Sequence, residues 1–288
     1  MKALVTGATG FAGTWLCRYL RHANHQVVGW ARNTPAHPVP GVHYESVNVQ
    51  EESMVRERMT AYRPNTVFHL AAMAHLGDCE KSPKAAFHTN VLGTQHVLSA
   101  MPREARAVFA STCHVYGAPT ELPVTESHPL NPYGVYATTK QQAEHIATGS
   151  DKDVVVVRAF HHTGPGQQTH FALADWANQI RIGTTTIQVG NIDVARDYSD
   201  VRDVVAGYML AAEAGEGGQV YNLCSGVSQP MREILTEMIG TRPIEVLRQP
   251  DRYRPNDILD FCGDPTKIQA LGWIRKFTLS ETLQSLLG

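Results

Sequence analysis

The chain opens with a short apolar run, KALVT, that stops at TGATGFAG and continues as an amphipathic helical pattern from Phe11 to His22. Three glycines, Gly7, Gly10 and Gly13, stand at the junction. Glycine lets a backbone turn tightly and approach a ligand closely. The free N–H groups of the following helix then face whatever anion lies in front of them. A strand that turns through glycines into a helix at the head of a chain belongs to a parallel sheet with crossover helices. The spacing here is GxxGxxG, whereas the dinucleotide fingerprint is GxGxxG. Taken alone, the triplet also fits a plain strand-to-helix turn.

The remainder of the first half supports the sheet. Strand-like runs recur at QVVGWA, HYESVNV, TVFHLAA, AVFAST and VVVVRAF, separated by helical patterns over Glu51–Tyr62, Lys81–Ala100 and Tyr136–Ala147. The unbroken VVVV at 154–157 suits a strand covered on both faces. After Phe160 the rhythm changes. Helical patterns over Phe171–Ile182, Val201–Ala214, Met231–Ile239 and Thr278–Leu287 alternate with the brief strands TIQVG, VYNLC and IEVL. The expected fold is therefore α/β, a Rossmann-type doubly wound parallel sheet with a smaller α/β C-terminal substrate-binding domain. Residues 1–160, joined by about 194–226, make the first unit, and 161–193 with 227–288 the second. The Pro-rich NTPAHPVPG at 33–41 reads as a surface loop.

The formal net charge of −2 over 288 residues gives no basic face for a polyanion, so no nucleic-acid partner is expected. Hydrophobic residues at 43% and charged residues at 18% describe an ordinary globule. Five scattered cysteines without a CxxC pair read as reduced thiols of a cytoplasmic protein. The apolar start is too short for a signal peptide, and no run approaches the ~18 residues of a membrane span.

The stretch YGVYATTK offers two tyrosines, but only Tyr136 stands four residues before Lys140, on one helical face with it. Tyrosine titrates near ~10 and is a reluctant acid or base at neutral pH. An ammonium about 5 Å away, at an effective dielectric near ~20, favours the phenolate by about 3 kcal/mol, or roughly two pKa units. FASTCHVYG places Ser111 and Thr112 after a strand, at the edge where open α/β sheets bind ligands. No Asp or Glu precedes Glu45, and GWARN presents Arg32 where an NAD site carries an acid for the ribose. Arg32 is either a solvated loop cation or a partner for a 2′-phosphate, which favours NADPH and leaves NADH possible. HHTGPGQQTH lacks ligand spacing on one helix face, so no metal is expected. Cys113 reads as a small apolar filler.

TGATGFAG, LAA at 70–72, ASTCHVYG, YATTK and RAFHHTGPGQ together resemble the extended short-chain dehydrogenase/reductase family across nearly the whole chain. The resemblance implies Tyr136 as acid–base, Lys140 beside the nicotinamide ribose and Thr112 as the hydroxyl that orients a carbonyl. For cofactor contacts it implies Gly7, Thr9, Gly10, Phe11, Gly13, Arg32, Asn48, Val49, Leu70, Ala71 and Ala72, together with Tyr136 and Lys140. Within the family, RAFHHTGPGQ, VGNIDVARDYSDVRDVV, VYNLCSG and YRPND are similar to reductases of GDP-4-keto-6-deoxymannose, with the GDP-mannose 4,6-dehydratases next. That likeness implies a GDP-linked 4-keto-6-deoxyhexose as substrate, a homodimer, and substrate contacts from His75, His161, His162, Phe171, Arg196 and Arg254. The two arginines would grip the diphosphate.

Thr112 is followed by Cys113 and His114, with no carboxylate to serve as an elimination base, which favours reduction over dehydration. His161 stands where the similar reductases carry Asn, and Ala74 where relatives carry a small hydroxyl residue. A 4-epimerase and a dinucleotide-sensing regulator are the alternatives. The retained Tyr–Lys pair argues against the regulator.

Overall fold

Alternation of apolar and glycine-rich segments produces the elements of a computed structural model that describes residues 1–253 and 257–288. In chain order, the first half gives β1 (Lys2–Thr6), α1 (Phe11–His22), β2 (Gln26–Ala31), β3 (Val42–Ser46), α2 (Glu52–Tyr62) and β4 (Thr66–His69). It continues with α3 (Leu76–Lys81), α4 (Pro83–Phe87), α5 (Gly93–Ala100), β5 (Arg106–Thr112), α6 (Gly134–Thr148) and β6 (Asp153–Ala159). The second half gives β7 (His161–Thr163), α7 (Ala172–Arg181), β8 (Thr186–Val189), β9 (Ala195–Asp200), α8 (Val201–Ala214) and β10 (Val220–Leu223). It ends with β11 (Ser228–Pro230), α9 (Met231–Ile239), β12 (Glu245–Arg248), β13 (Asp260–Phe261), α10 (Thr266–Ala270) and α11 (Leu279–Leu287).

Seven strands form one parallel sheet in the order β3-β2-β1-β4-β5-β6-β10. The chain runs outward from β1 through β2 to β3, then returns to β4 on the other side. The crevice beyond β1 and β4 is therefore a topological switch point, where sheets of this kind take ligands. Val155 and Val157 join a core beneath α1 and α8, while Val154 and Val156 join the opposite one beneath α2, α5 and α6. Alternate residues of a strand face opposite sides, so a strand covered on both faces must be apolar throughout.

A second layer builds on β9, which pairs with β7, β11 and β13, and on the parallel pair β8–β12. Its own core gathers Trp176, Ile187, Ile234 and Leu283 from α7, β8, α9 and α11. β10 completes the large sheet beside β6, and Ile268 and Trp273, late in the chain, also enter that sheet's core.

The helical pattern over 81–100 is not one helix. Pro83, which has no N–H to donate, starts a new segment at its first position. Residues His88–Leu92 then widen into a π turn around Asn90. The buried Asn90 amide receives Met73 N at 2.7 Å and donates to Met73 O at 3.1 Å and Thr139 Oγ1 at 2.9 Å. A polar side chain bonded in three directions overrides the apolar period around it.

Behind the carboxyl edge of β5 lies a buried polar knot. Arg158 on β6 donates from Nε to Glu144 Oε1 and Oε2 at 3.1 and 3.2 Å, and pairs with it through Nη2 as well. Ser111 Oγ donates to Glu144 Oε2 at 2.7 Å, and Arg158 Nη1 donates to the Tyr116 hydroxyl at 3.0 Å. The knot ties α6 to β5 and β6. Removing one partner strands a buried charge, so Arg158→Met is expected to lose about 3–5 kcal/mol of stability. Urea unfolding measures it, and a loss below about 1 kcal/mol would contradict a buried pair of this kind.

Candidate active site

The glycine turn sits at the switch point. Gly7 has φ +69°, and a Cβ there would lie 2.8 Å from Ala71 N; one on Gly13 would lie 2.1 Å from Gly7 O. Only hydrogen fits between the turn and the end of β4. The N-cap of α1 is Gly10, without a side-chain cap, and no acid occupies the first turn. The first N–H groups of α1 thus have no side-chain acceptor and no competing negative charge, which suits a pyrophosphate. Thr9 and Gly10 are exposed at the tip, and Phe11 stacks parallel to His162 at 6.0 Å.

Leu70, Ala71 and Ala72 continue from β4, half-buried, with Ala71 N donating to Thr6 Oγ1 at 3.1 Å. Arg32 follows β2 and is exposed, its carbonyl held by Ser46 Oγ at 2.9 Å. Asn48 bonds within its own turn to Glu51 and Gln50, and Val49 is buried with its carbonyl on His96. Gly7, Gly10 and Gly13 thus close on one another and on Ala71 at the end of β4, with Phe11 opening α1 beside them.

Tyr136 lies in the first turn of α6, and the elements around it fix it there. Glu80 of α3 accepts from Val135 N at 2.7 Å and so caps the helix start. Thr112 ends β5 in extended conformation and accepts from His114 N at 3.3 Å. Burial pushes the Tyr136 phenol well above its usual range, and a hydrogen bond with Thr112 pulls it back in part. Tyr133, by contrast, is 63% exposed.

Lys140 corrects an expectation. Its spacing put the ammonium on the face of the tyrosine, but Nζ turns to the strand, donating to Ala110 O at 2.6 Å and lying 4.2 Å above the Phe109 ring. The group that lowers the phenol pKa is Thr112. Burial brings the Lys140 ammonium down to about 7, with Glu144 opposing. Its charge in turn adds to the burial that holds His69 at about 3. His69 stands between Thr6 Oγ1 at 2.7 Å and Thr94 Oγ1 at 3.0 Å, linking the lysine to the glycine turn.

The opposite wall is aromatic and imidazole-rich. His114 meets Tyr136 edge-on at 5.9 Å and His161 at 5.6 Å; His161 meets Tyr198 at 5.5 Å. His162, one residue along β7, points to the other side and packs on Phe11, beside the glycine turn. His75, His170 and Phe171 form a separate cluster, with the His75 and His170 rings 4.8 Å apart and His75 Nδ1 3.2 Å from Asp78. His170, Tyr198 and Phe261 carried no signal in the sequence, because isolated rings show no spacing pattern. Cys113 Sγ and ring nitrogens of His114 and His161 all lie within 4.8 Å of one another, a grouping that linear spacing did not show.

Arg196 is 8% exposed and already engaged. It donates to Ala195 O at 2.7 Å, Ile258 O at 2.6 Å and Asp257 Oδ1 at 2.6 Å. Arg254 lies outside the described residues.

The lysine makes a pH dependence. Its folded value, about 7, lies below the ordinary lysine value of 10.5, so between those values the unfolded chain holds more of the proton. Stability therefore rises with pH across that window, and the full penalty is present below about 7. Between pH ~7 and ~9.5 the melting temperature of the protein should climb relative to Lys140→Met, which lacks the titration. Parallel curves would remove the buried ammonium from the account.

Residues 3–224 match the NAD dependent epimerase/dehydratase family. A GDP-6-deoxy-D-mannose reductase of Pseudomonas aeruginosa is 31% identical over 100% of this chain and 96% of its own length. The structure of RMD from Pseudomonas aeruginosa complexed with NADPH superposes with a TM-score of 0.86 at 28% identity, covering 100% of this chain and 98% of that one. A UDP-glucose 4-epimerase of Thermotoga maritima, with UDP-glucose, superposes with a TM-score of 0.90 at 25% identity, covering 100% and 97%. A glycine turn, a Thr–Tyr–Lys group on adjoining elements and a family match over most of the length agree: the chain belongs to the NAD dependent epimerase/dehydratase family, the extended short-chain dehydrogenase/reductases.

Proposed function

We propose that the chain reduces the 4-keto group of a nucleotide-diphosphate-linked 4-keto-6-deoxyhexose with NADPH, converting GDP-4-keto-6-deoxymannose to GDP-D-rhamnose. The observation that carries this reading is the full-length similarity to the Pseudomonas reductase, joined to a Thr112–Tyr136 pair with no carboxylate following Thr112. The buried carboxylate of Asp197, which acts on Cys113, is taken up by Ser225 N at 2.8 Å, Gly226 N at 3.0 Å and Gly263 N at 3.3 Å. It is a poor candidate for a base.

NADPH, when bound, supplies hydride to the sugar carbon. On the protein side, Thr112 orients the carbonyl oxygen, and Tyr136, held protonated by burial, gives its proton to that oxygen as negative charge develops. Lys140 fixes the α6 turn against β5 and brings positive charge to the nicotinamide side. His161 and His114 border the sugar, His75 and Phe171 close its far side, and Arg254 reaches the diphosphate. Arg196 holds the chain at Asp257 and Ile258. We further propose a cytoplasmic homodimer formed through α6 and the 83–100 segment, where Phe87 is 39% exposed.

A second reading, a 4,6-dehydratase, is favoured by the edge contact of His114 with Tyr136, since an imidazole there could take a sugar proton. Supplying GDP-mannose with NADP separates the two, because a dehydratase releases the 4-keto sugar and a reductase leaves GDP-mannose unchanged.

Purified protein given GDP-4-keto-6-deoxymannose should oxidise NADPH, and Tyr136→Phe should lower turnover by about 10²–10⁴-fold while NADPH still raises its melting temperature. No NADPH oxidation by folded, cofactor-binding protein refutes the substrate. Arg32→Ala should weaken NADPH by about 10–100-fold and leave NADH unaffected, as loss of one charge-assisted bond to phosphate requires. Equal losses for both cofactors would remove Arg32 from the 2′-phosphate.

A further inference from the structure

We propose that Cys113, His114 and His161 form a site for a borderline-soft divalent metal of the Zn²⁺ class on the sugar side of Tyr136, and that its occupation blocks catalysis. The blocking half rests on the reductase reading; the binding half does not.

The donors come from two firmly held elements. Cys113 and His114 are consecutive in the 3₁₀ turn that follows β5, a turn fixed by His114 N on Thr112 Oγ1 at 3.3 Å. His161 opens β7, which is registered against β9 through His161 and Tyr198. One thiol and two imidazole nitrogens stand within 4.8 Å of one another. A tetrahedral zinc site with bonds of ~2.0–2.3 Å needs donors ~3.3–3.7 Å apart, which side-chain rotation of about an ångström supplies.

The donor set is selective. A thiolate with two imidazoles suits Zn²⁺, Co²⁺ or Cu, and offers nothing that Mg²⁺ or Ca²⁺ prefers. On binding, the Sγ–H bond breaks, its proton passes to solvent, the sulfur bonds the metal, and the neutral imidazoles give lone pairs. No electron transfer is involved. Three protein ligands leave a fourth position open. His114 also packs edge-on against Tyr136 at 5.9 Å, so a metal held by that imidazole occupies the space the sugar needs beside the phenol.

Co²⁺ tests binding without NADPH or sugar. Titrated into the full chain, it should give a thiolate-to-cobalt charge-transfer band that saturates at one equivalent, is abolished by Zn²⁺ and is untouched by Mg²⁺. Cys113→Ser should lose the band, and His161→Asn should weaken binding by about a hundredfold or more, since changes to partners one shell further out already cost about 10–100-fold. Cys113 is buried, so if its variant fails to fold, the half-buried His161 decides the matter. Folded protein without the band, or equal Co²⁺ binding in His161→Asn, overturns the site. Zn²⁺ should also stop NADPH oxidation at the saturating equivalent, and undiminished turnover of metal-loaded protein overturns the blocking half. If no sugar is turned over at all, the reductase reading fails while the cobalt result stands by itself.

Discussion

The site depends on how one helix is held against one strand. The buried face of α6 is largely small, with Ala137, Ala143 and Ala147, and apolar burial by alanines fixes position weakly. Charged side chains do the fixing. Glu80 caps its first turn, Lys140 reaches Ala110 O in the middle, and Glu144 closes on Ser111 and Arg158 one turn later. Each tie ends on β5, on its neighbour β6 or on α3, so the start of α6 cannot slide without breaking a buried polar contact. Tyr136 then meets Thr112 because both elements are already fixed. Ion pairs of this kind contribute little net stability over an apolar substitute; their effect here is registry.

That arrangement gives Lys140 two duties that conflict. As a tie it must be buried, and burial lowers its ammonium to about 7. In the role proposed for it, as a source of positive field, it must stay charged at the same pH. Glu144, one turn along the same helix, pushes the ammonium back up. The Ser111–Glu144–Arg158 knot is therefore tied to the charge state of the lysine. His69 registers the outcome on the far side, where burial and the lysine together keep it neutral and able to accept as well as donate between Thr6 and Thr94.

Much of this was legible in the residue order, and the boundary of legibility is physical. Phe11–His22, Val201–Ala214 and Met231–Ile239 are helices over the residues their periodicity marks, because each buries one apolar face. The 81–100 pattern is helical from Pro83 to Ala100, but the break at Ser82 and the π turn around Asn90, whose side chain makes three bonds, are features that no hydrophobic period encodes. Of the site, the glycine turn and the strand-end position of Thr112 were readable, since backbone constraint and strand-end position are local. The direction of Lys140 was not. Helical spacing assigns a face, but a four-carbon stem can follow that face to a carbonyl as easily as to a phenol. Cys113 and His161 meet only because β5 and β6 are neighbours in the sheet and β7 follows β6 directly.

The direction of Tyr136's titration bears on which reaction of the family this site favours. A 4-epimerase must first take a proton from a sugar hydroxyl, so its resting tyrosine has to be deprotonated a useful fraction of the time. A ketone reductase begins from the opposite state, a phenol holding the proton it will give. Burial raises the Tyr136 phenol, Thr112 only partly offsets that, and the lysine charge is directed at the β5 backbone. Burial therefore favours the protonated phenol, the state from which the proposed reduction would begin. A raised pKa also makes the phenol a weaker acid than one matched to the medium. Thr112 counters this by donating its hydroxyl hydrogen to the phenol oxygen, so the same hydrogen bond that lowers the pKa would support a phenolate.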